Sequence, residues 1–374
     1  MTNPDDIYYM KSALNIARRG LGRVAPNPAV GCVIVKDGVV LARARTADGG
    51  RPHAETIALT QAGAQAQNSS VYVSLEPCAH HGKTGPCAEA LIKAGVGRVV
   101  IACSDPDPRT AGKGIAMLRE AQIEVVTGVL EDEAKVVNRG FFLTLSGQRP
   151  FITLKVATSA DGMVAGGAEK WITGKAARAR AHLIRSTHDA ILAGIGTVLA
   201  DDPVLTTRVP GLKHHIIRVV LDHHLRIPEE SRLVQSASVT DPLIVLHSCK
   251  SEDVRVPGYL AKEGVELIEA VDMKAGLAAL AQRGITRLLV EGGPRVHGAF
   301  VAEGLYDTLA WFKAPQVIGS QGLPALEGGS FQDVCEGMVL SEQMTCGGDM
   351  LEIYTRADMG AHALYPVIPL KPLV

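Results

Sequence analysis

The apolar positions along this chain change period repeatedly, and each change marks an element. Ile7, Met10, Leu14 and Ala17 recur at three- and four-residue steps, which predicts an amphipathic helix over residues 5–19 opened by Asn3-Pro4-Asp5. Beyond the Pro26-Asn27-Pro28 break, the apolar run at 30–35 predicts a strand. Asp37-Gly38 then predicts a tight hairpin turn into a second strand at 39–44. Pro52 fixes the backbone before a helix reaching to about Ala62, and residues 71–75 predict a third strand. A helix at 88–94 closed by Gly95, a strand at 98–102, a helix at 114–121 and a strand at 123–126 complete this part. Alternation of this kind argues for a mixed or parallel sheet sandwiched between helices.

Residues 138–150 end in the polar run Ser146-Gly-Gln-Arg-Pro150 and predict a domain joint. Expected boundaries are therefore 1–146, 147–366 and a Pro-rich apolar tail at 367–374. Strands are predicted at 151–157, 190–194, 216–221 and 243–247, with a helix at 176–185. Residues 287–291 form a further strand running into Gly292-Gly293-Pro294 and a helix from about Arg295 to Glu303. Glycines at such a junction let unpaired helix-start amides approach a phosphate. A plain tight turn is the alternative, and without G-x-G-x-x-G a Rossmann domain is not indicated.

At 374 residues the chain exceeds one ordinary core, in keeping with two domains. It is 47% hydrophobic and 21% charged, with a formal net charge of −1 and no Lys/Arg block. Nucleic-acid binders carry a basic face, so a small-molecule substrate is favoured. Seven scattered cysteines do not form a disulfide framework. Cys32, Cys103, Cys249, Cys335 and Cys346 are expected as reduced thiols, as in a cytosolic protein. With no signal-peptide pattern and no bilayer-length apolar run, the expectation is cytoplasmic, with no membrane partner.

The chemistry concentrates between Pro52 and Cys87. His53-Ala-Glu55 precedes a helix and a strand, and then comes Glu-Pro-Cys78-Ala-His-His-Gly-Lys-Thr-Gly-Pro-Cys87. One imidazole and two thiols are the ligand set of a tetrahedral zinc ion with its fourth position open. A glutamate two residues after the histidine, outside the coordination shell, completes the pattern of the zinc deaminases. Three ligands suffice, so His80 and His81 are read as loop residues near the substrate. A thiol at position 87 opens a predicted helix, which favours its thiolate.

These motifs resemble the bifunctional deaminase–reductase family of riboflavin biosynthesis. The resemblance rests on Asn27-Pro28-Ala-Val-Gly31, His53-Ala-Glu55, the long Cys78-to-Cys87 loop and Asp105-Pro-Asp-Pro. In the second half it rests on Ser159-Ala-Asp-Gly162, Trp171-Ile-Thr173, Thr197-Val-Leu-Ala-Asp-Asp-Pro203 and Glu291-Gly-Gly-Pro294. It implies a cytidine-deaminase-like α/β/α sandwich followed by a dihydrofolate-reductase-like α/β domain. Zinc on His53, Cys78 and Cys87, with Glu55 as catalytic proton carrier, would deaminate 2,5-diamino-6-(5-phosphoribosylamino)pyrimidin-4-one. NADPH would then reduce the ribosyl group of the product to ribityl.

By the same resemblance, Ala157, Trp171, Thr197 and Asp201 match cofactor contacts. So does a phosphate-cradling loop of Gly293, Pro294, Arg295, Val296, His297, Gly298 and Ala299. Arg185, Leu205, Arg208 and Glu291 match substrate contacts. Apart from the resemblance, Lys155 and Glu291 are expected to assist proton movement at the sugar, with a structural charge on the strand as the plain alternative for Lys155. Asn27 and Lys83 match deaminase substrate contacts; a turn residue and a solvated loop charge remain their plain alternatives, as core packing does for Trp171. The expected partners are small-molecule pyrimidine ribosyl phosphates and further copies of the chain, in a dimer or tetramer. Glu169 and His223 depart from the family pattern, which leaves open a reductase half that only binds or assembles. A nucleic-acid base deaminase would instead call for a basic groove and a short Cys loop, and the chain has neither.

Overall fold

The computed structural model describes residues 3–81, 85–166, 171–249 and 256–359. Two compact units divide them, one up to Ser146 and one from Gly147. Among the described residues, no helix is long and apolar enough to cross a membrane.

Helix α1 (Pro4–Arg18) opens the first unit, with the Asn3 side chain accepting from Asp5 N at 3.0 Å. Its Met10, Leu14 and Ala17 are buried, as their spacing predicts, with Ala13 beside them, while Ile7 at the first turn is half-buried. Strands β1 (Gly31–Lys36) and β2 (Val39–Arg45) form the predicted hairpin. Asp37 and Gly38 both take left-handed backbone angles, the geometry a two-residue turn needs to match strand twist. Next come α2 (Ala54–Ala62), β3 (Ser70–Leu75), α3 (Cys87–Lys93), β4 (Arg98–Cys103), α4 (Lys113–Glu120), β5 (Glu124–Thr127) and α5 (Glu131–Leu145).

The sheet runs β2-β1-β3-β4-β5, parallel from β3 to β5. Helices α1 and α5 pack together against β1, β3 and β4, while α2 packs on β1 and β2 and adjoins α3, which adjoins α4. The result is a sheet between two helical layers. Part of the expected joint, residues 138–145, is instead the second half of α5. Acidic residues 131–133 start that helix, and Asn138 is buried, bonding both the N–H and the C=O of Ala29.

The second unit comprises β6 (Phe151–Thr158), β7 (Met163–Ala165), α6 (Lys175–Arg185), β8 (Ala190–Gly194), α7 (Ile195–Asp201), β9 (Ile217–Leu221), α8 (Arg232–Gln235), β10 (Leu243–His247) and β11 (Val265–Glu269). After these come α9 (Met273–Gln282), β12 (Arg287–Val290), α10 (Pro294–Ala302), β13 (Thr308–Lys313), β14 (Leu323–Pro324), α11 (Phe331–Glu336), β15 (Met338–Cys346) and β16 (Asp349–Arg356). Its large sheet runs β11-β10-β9-β8-β12-β6-β13-β16-β15. The first seven strands are parallel; β16 and β15 are antiparallel. Strands β8 and β12 are buried along their whole length, as central parallel strands covered on both faces must be. The expected tail at 367–374 lies outside the described residues.

Candidate active sites

In the first unit His53 immediately precedes α2 in extended backbone, and Glu55 sits in the first turn of that helix. Cys78 lies in the loop after β3, and Cys87 is the first residue of α3. His53 Nδ1 is 3.3 Å from Cys87 Sγ and 3.7 Å from Cys78 Sγ. All three donor atoms lie within 4.8 Å of one another. That is the nitrogen-and-thiolate set zinc takes in a site that keeps a position open. His80 pairs instead with Thr110 Oγ1 at 3.4 Å, and His81 with Glu89 at 3.1 Å.

The N–H that opens α3 serves Cys78 rather than its own side chain: Cys87 N donates to Cys78 Sγ at 3.3 Å. The Cys87 thiol bonding to it, with help from His53, brings Cys78 down to about 4 against the opposing effect of burial. Cys87, the proton-bearing partner of Cys78 and buried, is held well above its usual range. The two thiols thus share one proton, carried by Cys87 and bonded to Cys78; bound zinc would take both as thiolates. Burial pushes the Glu55 carboxyl up to about 7. Its Oε2 is buried and has no hydrogen-bond partner. An orphaned carboxylate oxygen beside a cluster of metal donors fits a proton carrier awaiting a metal and a water.

Behind the cysteine loop lies a support that sequence reasoning missed. Buried Glu76 accepts from Asp105 N (3.3 Å), Gly112 N (3.1 Å) and Ile115 N (3.2 Å), tying the start of α4 to the residue two before Cys78. A Cβ on Gly114 would stand 2.0 Å from the Pro77 carbonyl oxygen, so α4 approaches that loop backbone to backbone. Burial raises the Asp105 carboxyl to about 6, with Cys78 contributing. Asn27 packs on the turn leading to His53: a Cβ on Gly50 would fall 2.0 Å from Asn27 Nδ2. Lys83 lies outside the described residues.

The second unit gathers Lys155, Arg185 and Glu291 from β6, the end of α6 and the residue after β12. Glu291 accepts from Lys155 Nζ at 3.3 Å and from Arg185 Nε and Nη2 at 3.1 and 3.0 Å. Burial alone would raise the Glu291 carboxyl, but Arg185 and Lys155 outweigh it and bring it to about 2. The remaining Arg185 arm donates to Thr206 O at 2.5 Å, which draws the segment containing Leu205 and Arg208 to α6.

Thr197 and Asp201 lie on one face of α7, four residues apart. A Cβ on Gly293 would meet Thr197 Oγ1 at 3.7 Å, so the β8–α7 and β12–α10 junctions are neighbours. Gly194 and Gly292 tolerate no side chain there, since each added Cβ would reach Val296 at 2.6 Å. This glycine-lined cradle, with the α10 amides opening into it, fits a cofactor pyrophosphate. The expected cradling loop at 293–299 is helical from Pro294, and only its first residues offer backbone. Val296 and His297 are buried, and Arg295 is exposed beside Glu327. Trp171 is exposed rather than core, with Arg178 over its ring at 5.0 Å; Glu169 lies outside the described residues. His223 lies at the carboxyl ends of β9 and β10, beside a cleft lined by Leu221, Leu246, Ala270 and Met273.

Fold and sites together define a two-unit α/β enzyme, a zinc-dependent base deaminase joined to a reductase. Residues 3–103 match the cytidine and deoxycytidylate deaminase zinc-binding region, and residues 150–351 match the RibD C-terminal domain. The chain belongs to the RibD family, the bifunctional deaminase and reductase of riboflavin biosynthesis. It is 42% identical over 334 residues to Riboflavin biosynthesis protein RibD of Bacillus amyloliquefaciens, covering 87% of this chain and 89% of the relative. Acinetobacter baumannii RibD superposes with a TM-score of 0.82 at 37% identity, over 94% of this chain and 98% of that one. A Thermotoga maritima diaminohydroxyphosphoribosylaminopyrimidine deaminase/5-amino-6-(5-phosphoribosylamino)uracil reductase gives the same TM-score of 0.82 at 34% identity, again over 94% and 98%. Zinc and NADPH are the cofactors that go with this membership.

Proposed function

We propose that residues 1–146 deaminate 2,5-diamino-6-(5-phosphoribosylamino)pyrimidin-4-one and that residues 147–366 reduce the ribosyl group of the product. The observation that carries the first step is the His53, Cys78 and Cys87 cluster beside a buried, raised Glu55. His53, Cys78 and Cys87 would hold the zinc, which when bound supplies Lewis-acid activation of the attacking water. Glu55 takes one proton from that water as its oxygen bonds to the ring carbon and hands it to the ring nitrogen; it then carries the remaining hydroxyl proton to the amine, so that the C–N bond breaks, ammonia leaves and a ring carbonyl remains. A carboxyl near 7 suits both halves of that transfer.

In the second unit, NADPH when bound supplies the hydride. The α10 amides and Thr197 would hold its phosphates, with Ala157 and Asp201 beside the cofactor. Arg185 and Arg208 would receive the substrate phosphate, to which a guanidinium is suited, and Leu205 would line the same site. Glu291 is ionised at neutral pH, so it orients Lys155 and Arg185 rather than carrying a proton itself. Lys155 is the donor to the ring oxygen as the sugar opens. The enzyme would act in the cytoplasm as a dimer or tetramer.

Two assays on purified protein test this reading: zinc-dependent ammonia release, and NADPH oxidation with ready-made deaminated product. Glu55→Gln should abolish the first and spare the second. Loss of both together would overturn the two-site assignment.

A further inference from the structure

The segment carrying Leu205 and Arg208 is fastened to α6 at two points. One is the Arg185 arm on Thr206 O. The other is Arg208 N, which donates to His182 Nδ1 at 3.3 Å. His182 lies three residues before Arg185, on the same face of α6. Leu205, two residues after Pro203, stands at the start of this segment with a positive φ of 56°. Arg208 itself is exposed, so its place at the site depends on its main chain.

We propose that His182 is a positioning residue of the reductase reaction, holding the Arg208 backbone so that this guanidinium stays at the site that receives the substrate phosphate. The inference rests on the reading of Arg185 and Arg208 as phosphate ligands. An Nδ1 that accepts from a backbone N–H requires a neutral ring with its proton on Nε2. The surroundings keep it so: burial, Arg185, Arg208 and Lys155 press His182 down to about 4, against the opposing pull of Glu291. The acceptor is therefore available throughout the neutral range. Fixing the Arg208 main chain before substrate arrives removes an ordering cost from phosphate binding.

Calorimetric titration of the full chain with ribose 5-phosphate tests this, using wild type, Arg208→Ala, His182→Phe and His182→Asn. Phenylalanine keeps a ring and removes the acceptor, so binding should weaken about tenfold, the worth of one lost hydrogen bond. Asparagine offers Oδ1 in place of Nδ1 and should restore most of the loss, which a purely space-filling role would not allow. In turnover, His182→Phe should raise KM for the deaminated substrate and leave kcat nearly unchanged. Wild-type binding by His182→Phe, or no recovery in His182→Asn, would overturn the proposal. If Arg208→Ala binds ribose 5-phosphate as wild type does, the phosphate reading of the second unit fails, and the role of His182 fails with it.

Discussion

His53 Nδ1 and Cys87 Sγ stand 3.3 Å apart, although they belong to the starts of two different helices, α2 and α3. Backbone packing of α2 on α3 brings them together, and the contact leaves a soft donor pair beside Cys78. Cys87→Ser removes one thiolate from that set. Metal content after dialysis should fall from one zinc per chain toward zero. Ammonia release should drop more than about a hundredfold, beyond the effect of losing a supporting partner alone. Plasma emission analysis reads the first and an ammonia assay the second; full zinc retention by the variant would contradict the assigned ligand set.

Glu55 is placed as proton carrier and not as ligand, and the two roles separate under Glu55→Gln. The amide keeps the shape of the side chain and removes its capacity to exchange a proton. Deamination should fall by about 10²–10⁴-fold, the usual contribution of a positioned acid or base. Zinc content should stay at the wild-type level. A variant that loses its metal would show that Glu55 belongs to the coordination shell.

The legibility of these sites in the sequence differed with the kind of signal. His53, Glu55, Cys78 and Cys87 stood out because few side chains have such chemistry and their spacing is restrictive. Helix α1 and the β1–β2 hairpin stood out through period and turn residues. Strand β15 gave no such signal, because most of its residues are exposed or half-exposed and its apolar alternation is weak. Glu76 and His182 were also invisible, since each acts by accepting backbone N–H groups from residues far along the chain. No local pattern records such a pairing. The helical nature of 138–145 was hidden by the polar run that follows it, which drew the expected joint too early.

Gly114 bears on the zinc site without touching it. An alanine there would press its methyl on the Pro77 carbonyl, one residue from Cys78, and backbone has little room to yield. Overpacking of this kind costs about 1–3 kcal/mol. Gly114→Ala should therefore lower the melting temperature and release zinc faster to a chelator such as EDTA, with the second unit's NADPH oxidation retained. Unchanged zinc release would mean that the α4 contact does not set the position of the cysteine loop.

Glu291 joins Lys155 and Arg185, and its replacement has a pH signature. Against the opposing effect of burial, the two cations bring the carboxyl from 4.5 to about 2 in the folded chain. A group whose folded value is depressed contributes its stability above the unfolded value and loses it as pH falls toward the folded one. The contribution should thus be complete above about pH 4.5 and disappear on approach to pH 2. Glu291→Gln leaves two cations facing a neutral amide, a loss of about 3 kcal/mol at neutral pH by analogy with broken buried pairs. Thermal melts at pH 7, 4 and 3 should show the wild type well above the variant at pH 7, with the gap narrowing at each step. A gap independent of pH would assign the loss to packing and not to the ion pairs.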